Sequence, residues 1–140
     1  MEGAIGLRQL EKIDQMIENR RSNAVYFREK MKEFPNVRLQ KEIGESSWFG
    51  FSIVLTGELS KKRSAIVAEL REAEIECRPI VAGNFTRNPV IKYMDYSIPE
   101  ELTNSDEIHD CGFFIGNHSQ NNNKEVDYFV NVFREILKNI

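Results

Sequence analysis

Cysteine is scarce in this chain: Cys77 and Cys111 are the only two in 140 residues. Two thiols cannot build a disulfide framework, so the fold must rest on a hydrophobic core, and a reducing, cytoplasmic setting is expected. Histidine is as rare, with His109 and His118 alone. No Cys/His pair stands at zinc-ligand spacing, so no metal site is expected. No apolar run approaches the roughly 20 residues that span a bilayer, and no charged-then-apolar leader opens the chain, so no membrane partner is expected. The net charge of −3 leaves no basic footprint for a phosphate backbone, which argues against nucleic acid. Gly-x-Gly-x-x-Gly and Gly-Lys-Ser/Thr loops, internal repeats and Pro/Gly/Ser-rich linkers are all missing. The expectation is one domain over 1–140, long enough to bury a core.

What is present is concentrated in two stretches. Cys77-Arg78-Pro79-Ile80-Val81-Ala82-Gly83-Asn84-Phe85-Thr86-Arg87-Asn88 is an apolar run that empties into a Gly-Asn turn carrying two arginines, two amides and a ring. Gly112-Phe113-Phe114-Ile115-Gly116-Asn117-His118 repeats the pattern with a histidine. Two runs ending alike suggest one ligand edge built from both. Guanidinium forks at Arg78 and Arg87 suit phosphate or carboxylate, and Asn84 and Phe85 offer an amide and a stacking face. A plainer reading stands beside each. Arg78 pairs with a structural carboxylate, Arg87 is solvated, Asn84 serves a turn that needs positive φ, and His118 bonds a backbone carbonyl. Cys77, with no adjacent base, reads as an inert core thiol.

Hydrophobic periodicity supplies the frame. Leu7, Leu10, Ile13, Ile17, Ala24, Phe27 and Met31 form one face of a long helix that Phe34-Pro35 ends. Its span over 1–34 exceeds what a domain of this size needs, so part of it is expected to pack against something outside this chain. Gly3 and Gly6 within it suggest a close neighbour, or else a frayed beginning. Val37–Leu39 and Trp48–Leu55 read as strands. Ser60 is expected to cap a helix over Lys61–Ala73 whose apolar face is Ile66, Val67 and Leu70. Ile75–Ile80 reads as a strand at an edge, because of Pro79. Asn88-Pro89 starts a short helix through Met94, 97–103 is irregular, Ser105–Cys111 is a brief helix, and Phe113–Ile115 is a strand. Lys124–Ile140 is an amphipathic helix with Val126, Phe129, Val130, Phe133, Ile136 and Leu137 inward. The fold class expected is α+β, a small, mainly antiparallel sheet with helices packed on one face and a long N-terminal helix.

Glu2–Lys12, then Arg20-Arg21-Ser22-Asn23-Ala24 and Tyr26-Phe27-Arg28, resemble the segment entering the C-terminal small domain of the pyridoxal-phosphate-dependent sugar aminotransferases, the DegT family of fold type I. Arg78–Phe85 and Phe114–His118 are similar to one branch, the nucleotide-sugar 3-dehydratases that act on GDP- or CDP-linked 4-keto-6-deoxy sugars. The likeness covers essentially the whole chain. It implies that residues 1–34 bridge a large and a small domain, and that 1–140 is the C-terminal portion of a larger enzyme.

The implied chemistry uses pyridoxal phosphate or pyridoxamine phosphate as electron sink to remove a C3 hydroxyl, in deoxysugar and surface polysaccharide synthesis. The cofactor is then held mainly by the large domain, which this chain lacks. Lys92 and the other lysines stand in the wrong context to serve it. No catalytic residue is expected here, and the chain by itself is expected to be inactive. By the same implication Arg78 and Arg87 face the nucleotide diphosphate or sugar, and Asn117 and His118 lie near cofactor or substrate. Partners are a nucleotide-linked sugar, the large domain and a second subunit of a homodimer, whose site the Asn84–Asn88 loop reaches. Two other readings are carried: a sugar aminotransferase of the same family, and a free-standing α+β module that senses a small anion. The residue at the cofactor position, lysine or histidine, separates the first two. A native start at Met1 with no coding sequence ahead would favour the module.

Overall fold

A computed structural model describes residues 2–98 and 100–140; Met1, at the head of the opening segment, and Pro99, inside the stretch expected to be irregular, lie outside the described residues. The elements in chain order are α1 (Glu2–Leu10), α2 (Ile13–Met31), β1 (Val37–Leu39), β2 (Gly50–Leu55), α3 (Arg63–Glu72), α4 (Thr103–Cys111), β3 (Gly112–Gly116) and α5 (Asn123–Asn139). The strands form one antiparallel sheet in the order β1-β2-β3, with Val37 opposite Leu55 and Phe51 opposite Ile115. The α+β expectation and the small antiparallel sheet are both met.

Alternation along β2 divides the sheet into two faces. Phe51, Ile53 and Leu55 enter the core, while Ser52 stands opposite Phe114 on the other face. Three helices cover the inner face. α2 contributes Ala24, Phe27 and Met31, α3 contributes Ile66, Val67 and Leu70, and α5 contributes Val126, Phe129, Val130, Phe133 and Ile136. Phe27 stacks on Phe51 with ring centroids 4.0 Å apart, and Phe34 meets Phe133 edge-on at 5.0 Å. Each such side chain adds about 1.5–3 kcal/mol on leaving water. Phe34 thus does more than mark a helix end, since its ring closes the core beneath α5.

Four expectations are corrected. The single long helix is two, because at Glu11–Lys12 the bonding tightens: Glu11 N–H reaches Leu7 O, whereas Lys12 N–H reaches only Gln9 O. On its first half the apolar stripe lies open, with Leu7 66% and Leu10 61% exposed. Ser60 does not cap α3. Its hydroxyl donates to Gly57 O at 2.8 Å within a 3-10 turn (Gly57–Lys62), and α3 begins at Arg63. Ile75–Ile80 is no strand but a single antiparallel bridge of Arg78 with Phe114, with N–O distances of 2.9 and 2.8 Å. Beyond it the chain turns away, with Val81 in left-handed space and Gly83 N–H bonded to Ile80 O at 2.9 Å, so residue 80 does not extend the ladder. Asn84 has φ −80°; the left-handed positions in that loop are Val81 (φ 51°) and Gly83 (φ 61°).

Candidate functional site

The two Gly-Asn turns lie at different places and do different work. At the first, Gly83 occupies left-handed space, and an added Cβ would come 2.5 Å from His109 Nδ1. Asn84 is buried, its Nδ2 donating to Asp106 at 2.9 Å while its Oδ1 accepts from Thr86 N–H (3.0 Å) and Thr86 Oγ1 (2.7 Å). It caps the 3-10 turn Phe85–Arg87. Arg87 is not free: Nη1 sits 2.7 Å from Asp110 and 3.5 Å from Asp106. That hydrogen bond to Asp110 raises its pKa further, which keeps the guanidinium charged. Phe85 is 45% exposed on the outside of the loop.

At the second turn Asn117 is buried and fully bonded. Its Nδ2 donates to Trp48 O at 2.8 Å and Arg20 O at 3.0 Å. Its Oδ1 accepts from Asn23 at 3.1 Å and Asn122 at 3.2 Å. One amide thereby ties α2, the approach to β2 and the start of α5 to the end of β3. His118 lies beside it in the open, with Nδ1 accepting from Gln120 N–H at 3.2 Å.

An open cavity of about 580 Å³ lies at this second turn. Arg20, Phe49, Glu76, Arg78, Phe114 and His118 form its walls. The bridge between Arg78 and Phe114 explains how Arg78 reaches it, since the backbone pairing places residues 76 and 78 alongside the outer face of the sheet. Alternation then puts Glu76 and Arg78 on one side, and Arg78 Nε donates to Glu76 at 2.7 Å. The carboxylate pairing read from the sequence is present, yet both side chains remain mostly exposed, at 70% and 74%. Phe114 spreads across β2 because Gly50 has no side chain, and a Cβ there would fall 2.1 Å from the ring. Phe49 stacks on Phe114 at 5.9 Å, and the Arg20 guanidinium lies 5.7 Å above Phe49.

Of the six residues singled out by sequence, the cavity therefore brings together Arg78, Asn117 and His118. Asn84, Phe85 and Arg87 sit together elsewhere, against α4. Sequence reasoning missed Arg20, Phe49, Glu76 and Phe114. The two-residue spacing of Glu76 and Arg78 could have found Glu76, whereas Phe49 and Arg20 arrive only through the packing of α2 beside the sheet.

Cys77 lies 3% exposed in the core, and burial pushes its thiol up to about 11. It is chemically quiet. Among the described residues no cluster of His, Cys, Asp and Glu could hold a metal, and no helix is long and apolar enough to cross a membrane.

A three-stranded antiparallel sheet with helices on its inner face, and an open cavity of mixed polar and apolar lining at the sheet's end, make up an α+β domain. The class has a family: residues 1–134 match the DegT/DnrJ/EryC1/StrS aminotransferase family, and the chain belongs to it. Within that family it is 45% identical, over 99% of its length, to GDP-4-keto-6-deoxy-D-mannose 3-dehydratase of Escherichia coli O55:H7, of which it covers 35%. It is 43% identical to the Yersinia pseudotuberculosis protein of the same name, covering 96% of this chain and 35% of that one. A solved E. coli GDP-4-keto-6-deoxy-D-mannose 3-dehydratase with bound hydrated pyridoxal phosphate superimposes with a TM-score of 0.89 at 44% identity, covering 94% of this chain and 34% of that one. The chain thus spans about a third of the length of the relatives it matches.

Proposed function

We propose that this chain is the C-terminal portion of a pyridoxal- or pyridoxamine-phosphate-dependent dehydratase that removes the C3 hydroxyl of a nucleotide-linked 4-keto-6-deoxy sugar. The observation that carries this reading is the cavity built by Arg78, Asn117 and His118, in a chain 45% identical over nearly its whole length to a 3-dehydratase.

The cavity offers cationic and ring surface to a ligand. It holds two guanidinium groups, an imidazole and two phenyl rings, with the carboxylates of Glu76 and Glu125 beside them and Glu76 accepting from Arg78, and no lysine lines it among the described residues. That donor set fits one wall of a cofactor and substrate site, with the remaining walls supplied by the large domain. When bound, the cofactor supplies an electron sink for the bonds around the sugar's C3. Arg20 and Arg78 steer and neutralise the diphosphate. Phe49 and Phe114 give a flat apolar floor that excludes water beneath the ring. Asn117 holds the end of β3 in place, so that His118 stands at the rim, close to the cofactor or substrate.

Residues 1–34 act as the bridge between domains, which accounts for the bare apolar stripe of α1. The enzyme works as a cytoplasmic homodimer, and the loop carrying Asn84, Phe85 and Arg87 reaches the partner subunit's site. Surface polysaccharide assembly is the process such a deoxysugar feeds.

The test is to supply the complete enzyme with pyridoxamine phosphate and a GDP- or CDP-linked 4-keto-6-deoxy sugar, then read the product by NMR. Loss of the C3 hydroxyl is expected. Retention of that hydroxyl with a new amine at C4 would make the enzyme an aminotransferase instead. The 140-residue chain alone is expected to turn over nothing and to bind the nucleotide sugar weakly. Tight binding by the chain alone would favour a ligand-sensing module.

A further inference from the structure

Along β2 the side chains that enter the core are Phe51, Ile53 and Leu55. The pairing runs one residue past the strand, since Asn117 N–H donates to Phe49 O at 3.2 Å. Alternation would therefore turn Phe49 inward and Trp48 outward. The reverse is found. Trp48 is 5% exposed in the core, whereas Phe49 is 71% exposed and its ring stacks on Phe114, on the sheet's other face. The reversal is made at Trp48, whose φ of 49° is left-handed, a conformation that a bulky residue rarely takes. Backbone of this kind persists only where its surroundings hold it. Here Trp48 N–H donates to Ser46 Oγ at 3.0 Å and the indole Nε1 to Glu42 Oε1 at 3.2 Å, while the Trp48 carbonyl accepts from Asn117 Nδ2 at 2.8 Å. The Arg28 guanidinium lies 5.6 Å from the centre of the indole. Burying the indole accounts for the turn. It does not account for the side chain then exposed, a phenyl set beside a second phenyl, which is apolar surface without a use in the core.

We propose that Trp48 is a positioning residue that sets Phe49 against the apolar edge of the hexose, C5–H and the C6 methyl of a 6-deoxy sugar, and so selects against a 6-hydroxyl. This deepens the function proposed above and rests on it. The chemistry of the cavity points to the sugar and to that edge of it. Arg20 and Arg78 stand there with Glu76 and Glu125, and Arg78 is already engaged by Glu76, so the lining is balanced in charge and suits an uncharged ring. Carboxylates and guanidinium groups together suit hydroxyls, which both donate and accept. The phenyl rings suit the one edge of a 6-deoxyhexose that carries no hydroxyl. A 6-hydroxyl placed over Phe49 would leave water without gaining a hydrogen-bond partner in the ring.

The experiment titrates the complete enzyme calorimetrically with GDP-mannose and GDP-6-deoxymannose, which differ only at C6 and lack the reactive ketone, and with GDP itself. The CDP-linked glucose and 6-deoxyglucose pair is used in the same way. Wild type should bind the 6-deoxy ligand about 10-fold more tightly than its 6-hydroxy counterpart. Phe49→Ala should bring the two within about twofold and leave the free nucleotide unaffected; the ring is mostly exposed, so the variant should fold. Glu42 does not line the cavity, and Glu42→Ala removes only the acceptor that holds the indole. It should lower the C6 preference to about threefold, and Glu42→Gln, which keeps an accepting oxygen, should restore it. A purely structural role for Trp48 would lower the stability of Glu42→Ala and leave the C6 preference intact, which overturns the proposal. So does a Phe49→Ala enzyme that keeps the full preference, as packing of the ring on the large domain would give. A Phe49→Ala enzyme that binds GDP as poorly as it binds the sugars overturns it too, since the ring then stacks on the base. A wild-type enzyme that binds no GDP- or CDP-linked sugar removes the underlying function, and this inference with it. One that binds them within about twofold whatever stands at C6 removes only the inference.

Discussion

Gly83-Asn84 and Gly116-Asn117 are the same dipeptide at the ends of two apolar runs, and the fold uses them in opposite ways. Asn84 is a local fastener. Its bonds go to Thr86 and Asp106, and its neighbour Arg87 is held by Asp106 and Asp110, so the loop is pinned to α4. Asn117 is a long-range one, bonded to Asn23 and to Arg20, more than ninety positions earlier in the chain, and to Trp48. The glycines differ as well. Gly83 adopts φ 61° against the His109 ring, whereas Gly116 has nothing within 4 Å of where a Cβ would go. A shared motif thus says where a chain turns. What the turn is for depends on whether the amide finds partners nearby or across the domain.

The comparison can be broken at its strongest point first. Asn117→Ala leaves Arg20 O, Trp48 O and Asn122 Nδ2 without their partner in the interior and should destabilise the domain by roughly 3–4 kcal/mol. Urea denaturation followed by circular dichroism measures this, and a loss below about 1 kcal/mol would mean the amide is no hub. Next come the glycines. Gly83→Ala should cost roughly 2 kcal/mol, from left-handed strain plus displacement of His109, while Gly116→Ala should stay within about 0.5 kcal/mol. Equal losses at the two sites would erase the distinction. The smallest effect concerns the cysteine before each turn. Burial raises both thiols, Cys77 to about 11, while Cys111 is only partly buried. Iodoacetamide at pH 8 should therefore label Cys111 well before Cys77. The folded chain keeps the Cys77 proton that the unfolded chain would release near the ordinary value of 9.0, so stability should fade as pH climbs from there towards about 11.

Much of the frame was legible because period and propensity agreed. β1, β2 and α5 stand where their patterns put them, since alternation along β2 and the apolar stripe of α5 each had a core to face. The misreadings have physical causes. Ile75–Ile80 has the residues of a strand, but pairing beyond Arg78 stops because the chain turns at Ile80–Gly83, so the segment keeps a single bridge. Ser60 looked like a cap because serine before a helical run usually is one, yet its hydroxyl found Gly57 O first. The continuous stripe from Leu7 to Met31 concealed the step at Glu11–Lys12, because side-chain spacing does not report how the backbone bonds. In the site, Arg78 and His118 were read onto one edge and both line the same cavity, whereas Asn84 and Arg87, read onto that edge too, are pinned to α4. Arg20 was invisible, since it reaches the cavity only through the packing of α2 beside the sheet.

Leu7, Leu10 and Ile13, between 44% and 66% exposed, follow one another at three-residue spacing along the helices that open the chain. A row of that kind is adhesive. Purified alone, the polypeptide should therefore behave as a concentration-dependent species, sedimenting heavier as it is concentrated and recovering its monomeric mass on dilution or in mild detergent. Any binding or stability measurement on it needs the protein concentration fixed and stated before two preparations can be compared.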